Sequence, residues 1–235
     1  MKNALFLTAL PLCLAAAAPA AAAPSMAVGP YAPAAAEARA SEPSLEQIRA
    51  ATERFRSVDV ALAEGYVRDP TDTCETASIM GRPAEFGAMG IHFFRPDLLG
   101  ISAPPNPRVN GNGTHTDWSR PSILIYEPQA DGSLQLVAVE NLVFQAAWHA
   151  AGHSERPTIN GRQWDRMEDD PSTPTDEAHG FEPHYDQHIW LYRDNPRGLY
   201  EPFNPNVSCA HHRRRSADAG HGHGHARFGI GAAGH

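Results

Sequence analysis

Three ionisable side chains stand in the middle of otherwise apolar stretches: His92 in GIHFF, Glu140 in VAVENLV and His188 in QHIWLY. A lone buried carboxylate or imidazole is costly, so each requires a partner, and three of them on neighbouring strands could satisfy one another. Facing residues on adjacent strands have Cβ atoms about 5 Å apart, close enough to share an ion or a proton. Two imidazoles and one carboxylate with remaining positions open suit Zn or non-haem Fe, and Cu as well. The same set could also close on itself as a metal-free hydrogen-bonded cluster, in a structural or small-ligand-binding domain, and the sequence leaves both readings open. His184 is a second candidate ligand. On a strand it shares a face with His188 but lies roughly 13 Å away, and only a helical turn would bring the two together. Tyr185, Asp186 and Trp190 are the residues expected to line a pocket beside the site.

Other constellations are weaker. His149, His153 and Asp165 could be assembled into a site, but loop histidines are usually surface residues. His211, His212, His221, His223 and His225, spaced by glycines, could capture Cu, Ni or Zn loosely. No G-x-S-x-G, H-E-x-x-H or P-loop motif is present, which removes the readily recognised hydrolase, zincin and P-loop nucleotide-binding classes.

The elements that must position these residues follow from periodicity. Ser44 and Gln47 form a capping-box pattern, and Leu45, Ile48, Ala51, Phe55, Val58 and Leu62 recur at helical spacing up to Gly65. The expectation is one amphipathic helix of about five turns covering a sheet. Residues 66 to 83 read as loop around Cys74. A short strand carries His92, and a long surface loop covers 95 to 120. SILIYE (122 to 127), the Asp131-Gly132 turn and LQLVAVENLVF (134 to 144) read as an antiparallel hairpin. The returning strand is apolar on both faces, with Leu136, Ala138 and Leu142 on one side and Val137, Val139 and Val143 on the other, so it must be covered twice. A short helix is expected near 145 to 151, and a strand from about 186 to 192.

Lys2, an apolar stretch from Ala4 and the Ala21-Ala22-Ala23 run match a secretory signal over residues 1 to 23. Cys13 falls inside it behind Leu12, which disfavours a lipidation site. Residues 24 to 43 form an Ala/Pro-rich leader, 44 to 209 a single domain, and 210 to 235 a His-rich tail expected to be disordered. Removal of the signal takes the formal charge from −8 to −9, which argues against nucleic acid and anionic membrane surfaces as partners. No span is long enough to insert in a membrane. Cys74 and Cys209 are then the two cysteines left in an oxidising compartment, periplasmic or secreted, and a disulfide between them is the simple expectation.

The blocks GYVRDPTDTC, GAMGIHFF, SILIYEP with LVAVENLVF, and HIWLYRDNPRGLYEPFNPNVSC resemble a group of uncharacterised exported bacterial proteins, over roughly residues 50 to 209. The matching positions include Cys74, His92, Glu140, His188, Trp190 and Cys209. The resemblance implies export and no particular activity. The resulting expectation is an α+β fold in which a curled antiparallel sheet, barrel-like if it closes, packs on one long N-terminal helix. Its function would be to hold a metal ion with His92, Glu140 and His188.

Overall fold

A computed structural model describes residues 42 to 213. The signal and leader readings up to residue 41, and the tail from residue 214 with His221, His223 and His225, lie outside the described residues. The architecture is mixed α and β, dominated by one antiparallel sheet. Among the described residues no helix is long and apolar enough to cross a membrane.

The expected long helix is broken. Helix α1 (Leu45–Thr52) starts at Ser44 with the capping box in place, runs into a 3-10 turn (Glu53–Arg56), and stops where Ser57 turns extended. Helix α2 (Val58–Ala63) then starts anew. The apolar spacing continues through the break, which is why it reads as one helix. Val58 and Val60 are β-branched and gain little from continuing it. The break also frees the Phe55 carbonyl to accept a hydrogen bond from the buried Tyr126 hydroxyl at 2.7 Å. Phe55 itself is fully buried and packs edge-on against Tyr66, while Leu62 is left 48 % exposed.

The remaining strands are β1 (Val67–Arg68), β2 (Cys74–Thr76), β3 (Ala88–Phe94), β4 (Ile123–Pro128), β5 (Leu134–Phe144), β8 (Asp165–Met167) and β9 (His184–Ile189), with β6 (Thr158–Ile159) and β7 (Arg162–Gln163) forming a separate ribbon. Two short helices, α3 (Pro96–Leu99) and α4 (Gln145–Ala150), follow β3 and β5. The main sheet runs β1-β3-β4-β5-β9-β8 with β2 also on β3, so it stays open and does not close into a barrel. The stretch read as loop around Cys74 thus supplies two edge strands. The β4–β5 hairpin turns at Gly132, whose φ of 88° suits glycine.

One face of the sheet packs Ile91, Phe93, Leu124, Tyr126, Val139 and Val143 against the N-terminal helices. The assigned faces of β5 need one correction. Tyr126 pairs with Leu136 and Ile125 with Ala138, so Val137 is an extra residue in a bulge. The bulge places Leu136 with the helix-side core and Val137 with the opposite one. Beyond it, Glu140, Leu142 and Phe144 share the second face. That face is packed by Leu99, Val109, Phe181 and Val207 from several loops, and it carries the candidate site.

The Cys74–Cys209 disulfide is formed, with Cα atoms 5.8 Å apart. It ties β2 to the turn at the end of the described residues. Residues 210 to 213 continue beyond it, and His212 lies 3.6 Å from Asp72. At the other end, Glu42 accepts hydrogen bonds from Thr158 Oγ1 at 2.8 Å and from the Asn160 backbone, so the final residues of the expected leader are anchored.

Candidate metal centre

Strand alternation decides which side chains meet. In β9, His184, Asp186 and His188 point to the second face, and Tyr185, Gln187 and Ile189 to the first. In β5 the second face carries Glu140, which stands directly opposite His188 in the register. His92 in β3 is not a cross-strand neighbour of Glu140, because β4 runs between them with Ile125 opposite His92 and Ile123 opposite Glu140. Two strand spacings, roughly 9.5 Å, separate those backbones. The His92 and Glu140 side chains lean across Ile123 and Ile125 to close that gap.

Their ends converge. His188 Nε2 lies 3.2 Å and His92 Nε2 lies 3.5 Å from the same oxygen, Glu140 Oε2. One ligand atom from each of the three residues falls within 4.8 Å of the others. Tetrahedral bonds of about 2.0 to 2.1 Å put neighbouring ligand atoms roughly 3.4 Å apart, so two edges already fit an ion. All three residues are buried, at 6 %, 3 % and 3 % exposure for His92, Glu140 and His188. Close as they are, the atoms are not hydrogen-bonded. Among the described residues His188 Nε2, Glu140 Oε2 and His92 Nδ1 are buried without a hydrogen-bond partner. Orphaned buried polar atoms are rare, and a water or an ion among these three would satisfy them.

The charges of the metal-free cluster follow from its surroundings. Burial disfavours a charged His92, but the Glu75 and Glu140 carboxylates outweigh that and hold it at about 9. Glu140 is likewise disfavoured as an anion by burial, yet His188 and His92 bring it below the ordinary carboxylate range. Burial lowers His188 and takes His184 down to about 4, so both are neutral and can offer a lone pair. Burial and the neighbouring Glu140 push Asp186 well above the carboxylate range. In the metal-free cluster His92 and Glu140 therefore form an oppositely charged pair.

These residues line a cavity of about 30 Å³ together with Glu75, Met89, Phe94, Ile123, Leu142, His179 and Phe181. That space accommodates one or two water-sized groups, and no organic substrate of ordinary size. Of the residues expected beside the site, Asp186 lines the cavity. Tyr185 does not, because alternation turns it to the opposite face, where its hydroxyl meets His149 Nε2 at 3.1 Å. Trp190 stacks on His188 with ring centroids 6.5 Å apart, outside the cavity, and gives its indole N–H to the Glu201 carbonyl. His184 faces the cavity but is not within ligand distance of the three. Its Nδ1 donates to the Glu182 carbonyl at 3.0 Å, which leaves Nε2 3.9 Å from Asp186.

His149, His153 and Asp165 do not gather. His153 stacks on Trp148, His149 Nδ1 bonds the His153 carbonyl, and Asp165 pairs with Arg162. Two cavity residues lack the apolar flanks that mark the others in the sequence. Glu75 sits in a two-sided loop-like stretch, and its only hint is the adjacent Cys74. It lies 3.9 Å from His92 Nδ1, in the place where an outer carboxylate orients a ligating imidazole. His179 lies in a polar loop with no apolar context to mark it.

Comparisons with protein-family models, with curated proteins and with solved structures find no match to this chain.

Proposed function

We propose that this is an exported metal-binding protein whose centre is a divalent transition ion, Zn or Fe and secondarily Cu, held by His92 Nε2, Glu140 and His188 Nε2. One observation carries the reading. Three ligand atoms from three strands converge in a buried cavity, and two of them are unsatisfied there. Two nitrogens and one oxygen are a borderline donor set, suited to Zn and to Fe(II) rather than to Ca or Mg. The remaining coordination positions open into a space of about 30 Å³, so any further ligand is of the size of water or a diatomic molecule.

A second reading is favoured by a different observation. His92, held at about 9, and Glu140 already form an oppositely charged pair, which is a self-sufficient arrangement for a purely structural cluster. The two readings part on metal content. Full-length protein without an affinity tag, dialysed against Zn(II) or Fe(II), should retain one ion more per chain than the His188→Ala variant. Equal metal contents in the two proteins would decide for the structural cluster.

A further inference from the structure

Glu75 reaches the centre from the edge of the sheet. Strand β2 pairs with β3 alone, Cys74 opposite Ile91 and Glu75 opposite Gly90, and a bulge between Glu75 and Thr76 ends the regular pairing there. Alternation turns Cys74 into the helix-side core with Ile91, and Glu75 to the second face with His92. His92 follows Gly90 by two residues, so it is the diagonal neighbour of Glu75, about 7 to 8 Å away, a gap that a long side chain spans. Glu75 Oε1 lies 3.9 Å from His92 Nδ1, while Glu140 approaches the same ring at Nε2.

Two regular pairs are a short hold for a strand, and the disulfide adds a fixed point. Cys74 is bonded to Cys209, whose Sγ lies 3.8 Å from the Glu75 carbonyl oxygen. The far end of the bridge is anchored on β4. Ser208 N–H donates to Glu127 Oε1 at 2.9 Å, and Arg193 pairs with the other oxygen of that carboxylate. The residue bonded to Cys209 and the residue beside Glu75 are thus tied to one rigid part of the sheet.

An imidazole that gives its Nε2 lone pair to an ion carries its proton on Nδ1, and that N–H needs an acceptor. His92 Nδ1 is buried with no hydrogen-bond partner among the described residues. A shift of about 1 Å brings the Glu75 carboxylate to hydrogen-bond distance. Outer carboxylates of this kind fix the ring and strengthen it as a ligand, and losing one costs roughly 10- to 100-fold in metal affinity.

We propose that the Cys74–Cys209 disulfide controls how tightly the centre holds its ion, by keeping Glu75 against His92 Nδ1. The inference rests on the reading of His92, Glu140 and His188 as metal ligands. Glu75 is then a positioning residue, and the bond beside it makes the site sensitive to reduction. A phosphine and one water convert the disulfide to two thiols, the phosphine being oxidised to its oxide. Strand β2 then loses its tether and Glu75 its place. The ion is retained where disulfides persist and released where they are reduced.

The test uses the full-length untagged chain loaded with Zn(II), with His188→Ala as the blank for the tail histidines. Glu75→Ala should weaken Zn(II) binding at least tenfold with the disulfide intact, and Glu75→Gln, which keeps an acceptor oxygen, should recover part of the loss. With isotopically labelled histidine, a slowly exchanging His92 Nδ1–H resonance is expected in wild type and not in Glu75→Ala, a change that a merely structural role would not produce. Reduction with tris(2-carboxyethyl)phosphine should speed loss of Zn(II) to a chelator at least tenfold in wild type. It should leave the already faster loss from Glu75→Ala unchanged, with tryptophan fluorescence native throughout. The proposal is overturned if Glu75→Ala binds as wild type while His188→Ala has lost the site, if reduction speeds release equally in wild type and Glu75→Ala, or if the ion leaves only together with the fold. If His188→Ala also binds as wild type, the metal reading itself fails and the tether's role falls with it.

Discussion

Replacing Glu140 by Gln keeps the shape of the side chain and removes the charge that lies between two imidazoles. In metal-free protein the effect can be worked from His92. Its folded value of about 9 lies two pH units above neutrality, whereas an unperturbed imidazole at 6.5 is mostly deprotonated at pH 7. At about 1.4 kcal/mol per pH unit, the protonated His92 contributes at most roughly 2.7 kcal/mol at pH 7. Glu75 shares in that, so Glu140→Gln is expected to cost on the order of 2 kcal/mol. The pH dependence has a definite sign. His92 is raised, so its contribution is complete below 6.5 and disappears as pH rises through about 9. Glu140 is depressed, so its contribution is present above 4.5 and disappears as pH falls through its lower folded value. The deficit of the variant should therefore be widest between pH 4.5 and 6.5 and should close by about pH 10. Urea unfolding of EDTA-treated wild type and variant across pH 4 to 10 measures it. A variant equal to wild type at pH 6, or a deficit that does not narrow above pH 8, would refute the coupling of these groups.

Three other outcomes are expected. The Cys74→Ser/Cys209→Ser double variant opens a loop spanning 135 positions, and the chain-entropy model puts the loss near 5 kcal/mol, readable as a fall in the urea midpoint. His184 is buried at about 4, so its stabilising neutrality is complete above 6.5 and lost as pH falls through 4. His184→Gln should remove up to about 3 kcal/mol of the acid sensitivity between those limits, and an unchanged acid limb would contradict the burial argument. Gly90 has φ of 123°, and a Cβ there would stand 2.6 Å from the Tyr126 carbonyl. Gly90→Ala should cost about 2 to 3 kcal/mol in thermal unfolding and, because Gly90 pairs with Glu75, should disturb the orientation of His92.

His92, Glu140 and His188 were legible in the sequence for one reason: each breaks a run of apolar residues, and burial forces such residues to converge on partners. The strands carrying them, the β4–β5 hairpin and the cysteine pair were legible for equally local reasons. What was lost depends on geometry that leaves no local trace. The α1–α2 break keeps its apolar spacing, so nothing at Ser57 announces it. The bulge at Val137 inserts one valine among others, and it is this shift that sets Leu136 and Glu140 on opposite faces. Tyr185 and Asp186 look equally suited to a pocket, and only alternation from His188 separates them. Glu75 and His179 come from an edge strand and a loop. Neither has the apolar flanks that make an ionisable residue conspicuous, and long-range packing alone brings them to the cavity.

The central claim is that the three converging side chains hold an ion. Metal content per chain, measured by elemental analysis on untagged full-length protein and on His188→Ala after identical loading and dialysis, tests it most directly. The tail histidines are common to both proteins and cancel in the difference. The account predicts a difference of one Zn or Fe per chain; no difference, with both variants folded and disulfide-bonded, would contradict it.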